Sequence, residues 1–175
     1  QKLNIDIFDE LDSTNNYLKM LGSQGEKESQ LVIAQSQTGG RGRMGRSFYS
    51  PNGTGIYFSL LLHPEYAIEK SLFLTVMAAV SVAETVMKYN KNGVKIKWVN
   101  DIFVKGKKVC GILTEASIDF ETGGLCYAVL GIGINVKKPK DDFPEEIREI
   151  AGVISDEKVD VSLLIANVLN SFFEI

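Results

Sequence analysis

Two apolar, strand-like runs, Leu31 to Ala34 and Ile56 to Leu62, flank a stretch that neither can continue. Thr38 to Phe48 reads TGGRGRMGRSF, with glycine at 39, 40, 42 and 45 and arginine at 41, 43 and 46. The glycines let the backbone turn with positive φ and approach a ligand closely, and the arginines bring permanent charge. Successive backbone N–H groups in such a turn form a concave donor nest. Guanidinium forks add charge-assisted hydrogen bonds of about 1.5–3 kcal/mol each. A phosphate or a carboxylate fits this description. The flanking strands pin both ends of the loop, which argues against a mobile surface turn. The Arg/Gly pattern occurs once, unlike the repetitive tracts that touch RNA without specificity. From the loop alone, an anion site and a solvated turn both stand.

With 175 residues, 45% hydrophobic and 23% charged, the chain reads as one soluble globular domain with a single large core. A net charge of -3 gives no general attraction to nucleic acid, so the arginine cluster reads as a local site. No apolar run reaches membrane-spanning length and no signal peptide opens the chain, which makes the cytoplasm the expected compartment and a membrane partner unexpected. Cys110 and Cys126 both lie in apolar strand-like segments without metal-ligand spacing and are expected to be reduced and buried.

Along the chain, Leu3 to Phe8 alternates as a strand and runs into Asp12-Ser13-Thr14-Asn15-Asn16, a helix-entrance cluster followed by Tyr17, Leu18 and Leu21 at helical spacing. Ser13 or Thr14 serves as an N-cap there, or the short polar side chains face a polar head group; both readings stay open. Gln30 to Ser36 forms the second strand and Gly55 to His63 the third, ended by Pro64. Ile68 to Tyr89 carries Ile68, Leu72, Phe73, Val76, Val80, Ala83 and Met87 at helical spacing, as a core helix. Val94 to Val99, Ile102 to Val104 and Val109 to Leu113 read as strands, with a hairpin turn at Lys105-Gly106-Lys107 and Trp98 as a core anchor. Asn100-Asp101 needs a partner, because an unpaired buried carboxylate is expensive, unless it simply forms a turn. Lys108 is expected to share a strand face with Cys110 and Ile112, its ammonium reaching an anion or snorkelling to water. Leu125 to Val136 is a strand whose Gly131 and Gly133 suggest that a ligand or another backbone lies close by. A polar loop, a short helix at 144–150 and an amphipathic helix from Val161 to Phe173 follow.

Ser13-Thr14-Asn15, GRGRMGR at 40–46, KWVND at 97–101, KKVCGIL at 107–113 and GIGINV at 131–136 together resemble, in order and over nearly the whole chain, the catalytic domain of biotin protein ligases. The resemblance implies an α+β fold: a mixed, largely antiparallel sheet with helices packed mainly on one face. It implies that residues 1–175 are this domain, without an N-terminal helix-turn-helix and with the family's small C-terminal β-barrel lying outside the chain. It also implies a reaction in which ATP and biotin, with Mg²⁺, give biotinyl-5′-AMP, after which biotin passes to a lysine of a biotin carboxyl carrier domain.

By that similarity, Ser13, Thr14, Asn15, Gln37, Arg41, Gly42, Arg43 and Lys108 hold biotin. Arg43, Arg46, Phe48, Lys97, Asn100, Gly131, Gly133 and Asn135 meet the nucleotide. Lys108, Arg43, Arg41 and Asp101 carry the chemistry, with Asp101 accepting or orienting the acceptor lysine's proton, and no residue is assigned to a metal. Two positions depart from the family pattern: Phe48 replaces a common tryptophan and Val99 a usual proline. A lipoate-type ligase or acyltransferase and a biotin-responsive regulatory protein are the rival readings. The chain alone is not expected to bind nucleic acid, and monomer against homodimer stays open.

Overall fold

The computed structural model describes residues 3–64, 71–91, 93–119, 121 and 123–175. A seven-stranded sheet runs in the order β1-β2-β3-β7-β6-β5-β4. Its strands are β1 (Asn4–Leu11), β2 (Gln30–Gln37), β3 (Gly55–Leu62), β4 (Val94–Lys97), β5 (Asp101–Val104), β6 (Lys107–Ile118) and β7 (Leu125–Asn135). β1 pairs with β2 in parallel and every other pairing is antiparallel. The helices are α1 (Thr14–Ser23), α2 (Ser71–Met87), α3 (Glu145–Arg148) and α4 (Val161–Glu174). This is the mixed, largely antiparallel sheet with flanking helices that the resemblance implies.

Side chains alternate between the two faces of the sheet, so each strand contributes to two layers. On one face Leu31, Phe58, Leu60, Leu130, Ile132 and Ile134 join Ala78, Val82 and Val86 of α2 and Leu164, Val168 and Phe172 of α4 in the main core. Each fully buried large side chain there stabilises the fold by about 1.5–3 kcal/mol. On the other face α1 covers a smaller cluster of Leu18, Val32, Leu61 and Val129. Ser13 caps α1 by accepting from the Asn16 N–H at 3.4 Å, and Asp160 caps α4 by accepting from the Leu163 N–H at 3.0 Å. No helix among the described residues is long and apolar enough to cross a membrane.

Several details depart from the sequence reading. α2 is a core helix, but it buries Leu74, Ala78, Ala79, Val82 and Val86, while Leu72, Phe73 and Met87 are exposed. A helix apolar nearly all round gives no preferred stripe, so spacing alone cannot select the buried face. Ile68, expected at its start, lies outside the described residues. Trp98 is no core anchor: it is 73% exposed in the turn after β4, and the neighbouring Val99 is the buried residue. Cys110 is buried as expected, but Cys126 is exposed.

Lys108 does not share a face with Cys110 and Ile112. A register shift between Ile102 and Phe103 pairs Ile102 with Cys110 but Phe103 with Lys108, leaving Val109 as the extra residue of a β-bulge. Bulges re-aim side chains, and this one turns Lys108 to the face opposite the core, where its Cε lies 3.4 Å from the place a Cβ on Gly111 would occupy. The chain segment after α3 pins that start of β6. Lys108 N–H donates to Ile150 O at 2.6 Å and Gly152 N–H donates to Lys108 O at 2.8 Å.

Candidate active site

The face of the sheet away from α2 is stripped of side-chain bulk along β6 and β7. Gly111 lies opposite Gly133, with Gly131 one step further along β7. A Cβ on Gly133 would sit 2.6 Å from the Phe48 ring, and one on Gly131 would strike the Asn15 carboxamide. Both glycines are therefore required by close approach, but the neighbours are side chains and not the ligand or backbone expected from the sequence. A cleft of about 310 Å³, open at its mouth, lies over this floor, lined by Ser13, Thr14, Asn15, Gln37, Arg41, Phe48, Gly111, Leu113, Gly131, Ile132 and Gly133.

The polar end of the cleft comes from the α1 entrance. Ser13, Thr14 and Asn15 are at most 4% exposed. Ser13 is the cap of α1. Thr14 N–H donates to Gln37 Oε1 at 2.9 Å, and Thr14 Oγ1 lies 2.7 Å from Ser59 Oγ. Ser59 donates to Asn15 Oδ1 at 2.7 Å, and Gln37 Nε2 donates to Ser50 Oγ at 3.0 Å. Asn15 Nδ2 reaches Leu113 O and Glu115 Oε2 at 3.3 and 3.0 Å.

The cationic end joins the arginine loop to the β4–β6 segment. Arg41 donates to Asn16 Oδ1 at 2.8 Å and pairs with Glu115 at 3.2 Å. Arg43 donates to Asn100 Oδ1 at 3.0 Å, and Lys108 Nζ pairs with Asp101 at 2.7 Å. Asn100 and Asp101 are consecutive, so Arg43 and Lys108 are held by neighbouring residues although they are far apart in sequence. Asn100 is itself fixed, its Nδ2 donating to Ile112 O at 3.1 Å and its carbonyl accepting from Ile112 N–H. Arg43 also lines a second cavity of about 610 Å³ with Val99, Thr75 and Leu113, the last shared with the cleft. Lys97 lies over the Phe103 ring at 5.7 Å, and Arg46 projects into solvent. Asn135, at the end of β7, accepts from Ile154 N–H through its carbonyl.

A sequence model of the Biotin/lipoate A/B protein ligase family matches residues 7–135, most of this chain. The chain belongs to that family. Among ligase-family relatives it is 40% identical over 167 residues to the bifunctional ligase/repressor BirA of Bacillus spizizenii, covering 94% of this chain and 51% of that one. The Escherichia coli protein of the same name is 36% identical over 127 residues, covering 72% and 38%. The chain thus spans about half the length, or less, of these curated relatives. A solved biotin protein ligase from Aquifex aeolicus, in complex with biotin and ATP, matches with a TM-score of 0.79 and 32% identity, covering 98% of this chain and 69% of that one.

The structure adds residues that the sequence left unmarked. Gly111, Leu113 and Ile132 line the cleft, and Ser50, Ser59 and Glu115 hold its polar walls. Ser59 lies inside an apolar strand and Glu115 at the far end of β6, and neither carries a local motif. Burial pushes the Glu115 carboxyl up, but hydrogen bonds from Lys19 and Asn15 and the charges of Lys19 and Arg41 outweigh it and hold the carboxyl below its usual range. Tyr57, beneath the loop, is pushed up to about 12 by burial, partly offset by its hydrogen bond with Thr54.

Proposed function

We propose that this chain is the catalytic domain of a biotin protein ligase, which forms biotinyl-5′-AMP from biotin and ATP and passes biotin to a lysine of a carboxyl carrier domain. The observation that carries the reading is the adjacency of the Arg43–Asn100 and Lys108–Asp101 contacts beside a polar-walled cleft. A carboxylate and a phosphate brought to about 4 Å repel by roughly 4 kcal/mol at an effective dielectric near 20. Arg41, Arg43 and Lys108 offset that repulsion and stabilise the charge that builds as the carboxylate attacks the α-phosphate. Ser13, Thr14, Asn15 and Gln37 take biotin's polar ring. Arg46, Phe48, Lys97, Gly131, Gly133 and Asn135 serve the nucleotide side, with the glycine floor common to both substrates.

In the second step the acceptor lysine must lose a proton, which at pH 7 costs about 4.6 kcal/mol for an unperturbed amine. Asp101 first holds Lys108; when Lys108 turns to the ligand's acyl phosphate, Asp101 is free to accept or orient that proton, with Asn100 beside it. No cluster of three or more His, Cys, Asp or Glu side chains among the described residues is placed to hold a metal, and Asp101 and Glu115 are already ion-paired. A Mg²⁺ ion would therefore be held chiefly by the phosphate oxygens of ATP, where it would neutralise the leaving pyrophosphate.

The test is intact mass after mixing the protein with ATP, a carrier domain and an equimolar mixture of biotin and lipoate. The carrier gains one biotinyl group, and Lys108→Ala and Arg43→Ala each cut the labelling by about 100-fold or more. A lipoyl adduct in place of biotin, or undiminished labelling by both variants, overturns the assignment.

A further inference from the structure

Glu115 follows Gly111 and Leu113 on the site face of β6, yet the scheme above gives it nothing to do. A carboxylate at the rim of an anion-binding cleft opposes the ligand's charge, so its presence calls for a cause. Its Oε1 takes Lys19 at 2.8 Å and Arg41 at 3.2 Å, and its Oε2 accepts from Asn15 Nδ2 at 3.0 Å. Leu113 O accepts from the same amide nitrogen.

An ionised carboxylate and a carbonyl can only accept. Asn15 must therefore present its Nδ2 to them and its Oδ1 to Ser59. Oδ1 also only accepts, so the single Ser59 proton goes to it, across 2.7 Å. The equally short contact between Ser59 and Thr14 then needs the Thr14 proton. With that proton committed, the 3.2 Å separation between Thr14 Oγ1 and Gln37 Oε1 holds none. Gln37 is locked in turn, since Thr14 N–H donates to its Oε1 and its Nε2 donates to Ser50, which donates to Phe48 O. The chain of hydrogen bonds runs one way between acceptor-only ends and leaves two acceptors side by side at the cleft wall.

We propose that Glu115 is a positioning residue that sets the direction of this chain, so that Thr14 Oγ1 and Gln37 Oε1 face the cleft as a paired acceptor for an N–H of the ligand's polar ring. This rests on the biotin reading, in which a cyclic urea supplies that N–H. Lys19 and Arg41 keep Glu115 ionised and hence acceptor-only. In Glu115→Gln, Lys19 and Arg41 hold the new amide's carbonyl oxygen and turn its NH₂ against Asn15 Nδ2, so the Asn15 amide turns over, giving up the longer, 3.3 Å bond to Leu113 O. Asn15 then donates to Ser59, Ser59 to Thr14 and Thr14 to Gln37, and the acceptor pair is satisfied internally.

The probes are biotin and its analogue with one ureido N–H replaced by oxygen, titrated calorimetrically into the purified protein. Wild type prefers biotin by about 100-fold, because a lost N–H leaves the paired acceptors unmet. Glu115→Gln reduces that ratio by about tenfold or more, whereas Glu115→Asp retains most of it. Lys19→Met, which removes one cation and keeps the acceptor, leaves the ratio unchanged. Ser59→Ala cuts the chain, frees Thr14 to donate to Gln37 and collapses the ratio as Glu115→Gln does, and so decides the matter if Glu115→Gln fails to fold. Wild-type ratios in Glu115→Gln or Ser59→Ala overturn the inference while leaving the biotin reading intact. Failure of the wild type to bind biotin overturns both.

Discussion

The two faces of β7 differ more than any two regions of the molecule, although they are made of alternate residues of one strand. Leu130, Ile132 and Ile134 point into the main core, while Gly131 and Gly133 on the reverse leave room for Asn15 and Phe48. β6 repeats the division, with Cys110 and Ile112 inward and Gly111, Leu113 and Glu115 toward the cleft. One face is filled to stabilise the fold, and the other is left open or polar at the cleft. The contrast teaches that a period of two separates stability from function at single-residue spacing.

The sharpest way to break that contrast is to exchange the two roles at neighbouring positions. Gly131→Ala drives a methyl into the Asn15 carboxamide and is expected to weaken biotin binding by about 100-fold or more, read calorimetrically, with the far-UV circular dichroism retained. Leu130→Ala, at the preceding residue and buried in the core away from the cleft, costs about 2–5 kcal/mol in chemical denaturation and leaves biotin affinity in the folded fraction unchanged. Equal loss of affinity in both variants removes the distinction.

A smaller effect concerns pH. Because the folded Glu115 carboxyl is held below its ordinary range, its contribution to stability is complete above the unfolded value of about 4.3 and is lost as pH falls through the folded value. The melting-temperature gap between wild type and Glu115→Gln therefore narrows on acidification below about pH 4.3 and is flat from there to neutrality. A gap that widens on acidification contradicts the ion-paired state.

The smallest effects separate surface from interior. Burial pushes the Cys110 thiol far up, so a thiol reagent labels Cys126 alone in the native protein and both cysteines after unfolding. Trp98→Ala, at an exposed indole, changes stability by less than about 0.5 kcal/mol in urea titration.

Alternation and turn chemistry made most elements legible in advance. Lys105 and Gly106 turn the β5–β6 hairpin with φ of 50° and 80°, and Ser13 starts α1, both from local preference. The glycine–arginine loop likewise advertised itself by composition, whereas the glycines of β7 stood out in an apolar strand but make room for Asn15 and Phe48, which only the fold brings there. The orientation of Lys108 did not, since a bulge is a disagreement between two strands and exists only once they pair. Trp98 misled because large aromatic area usually means burial, and in this turn Val99 is buried instead.

The order of strands and helices, the capping of α1 and the supply of cations were thus determined by the sequence alone, through propensities that act over a few residues. The tertiary structure alone decided which face of α2 is buried, that Lys108 turns away from the core, and that Glu115 reaches Asn15 and Arg41. The Glu115 contacts join residues many tens of positions apart, and even the Lys108 bulge, inside one hairpin, exists only once β5 and β6 pair, so no local preference encodes these geometries.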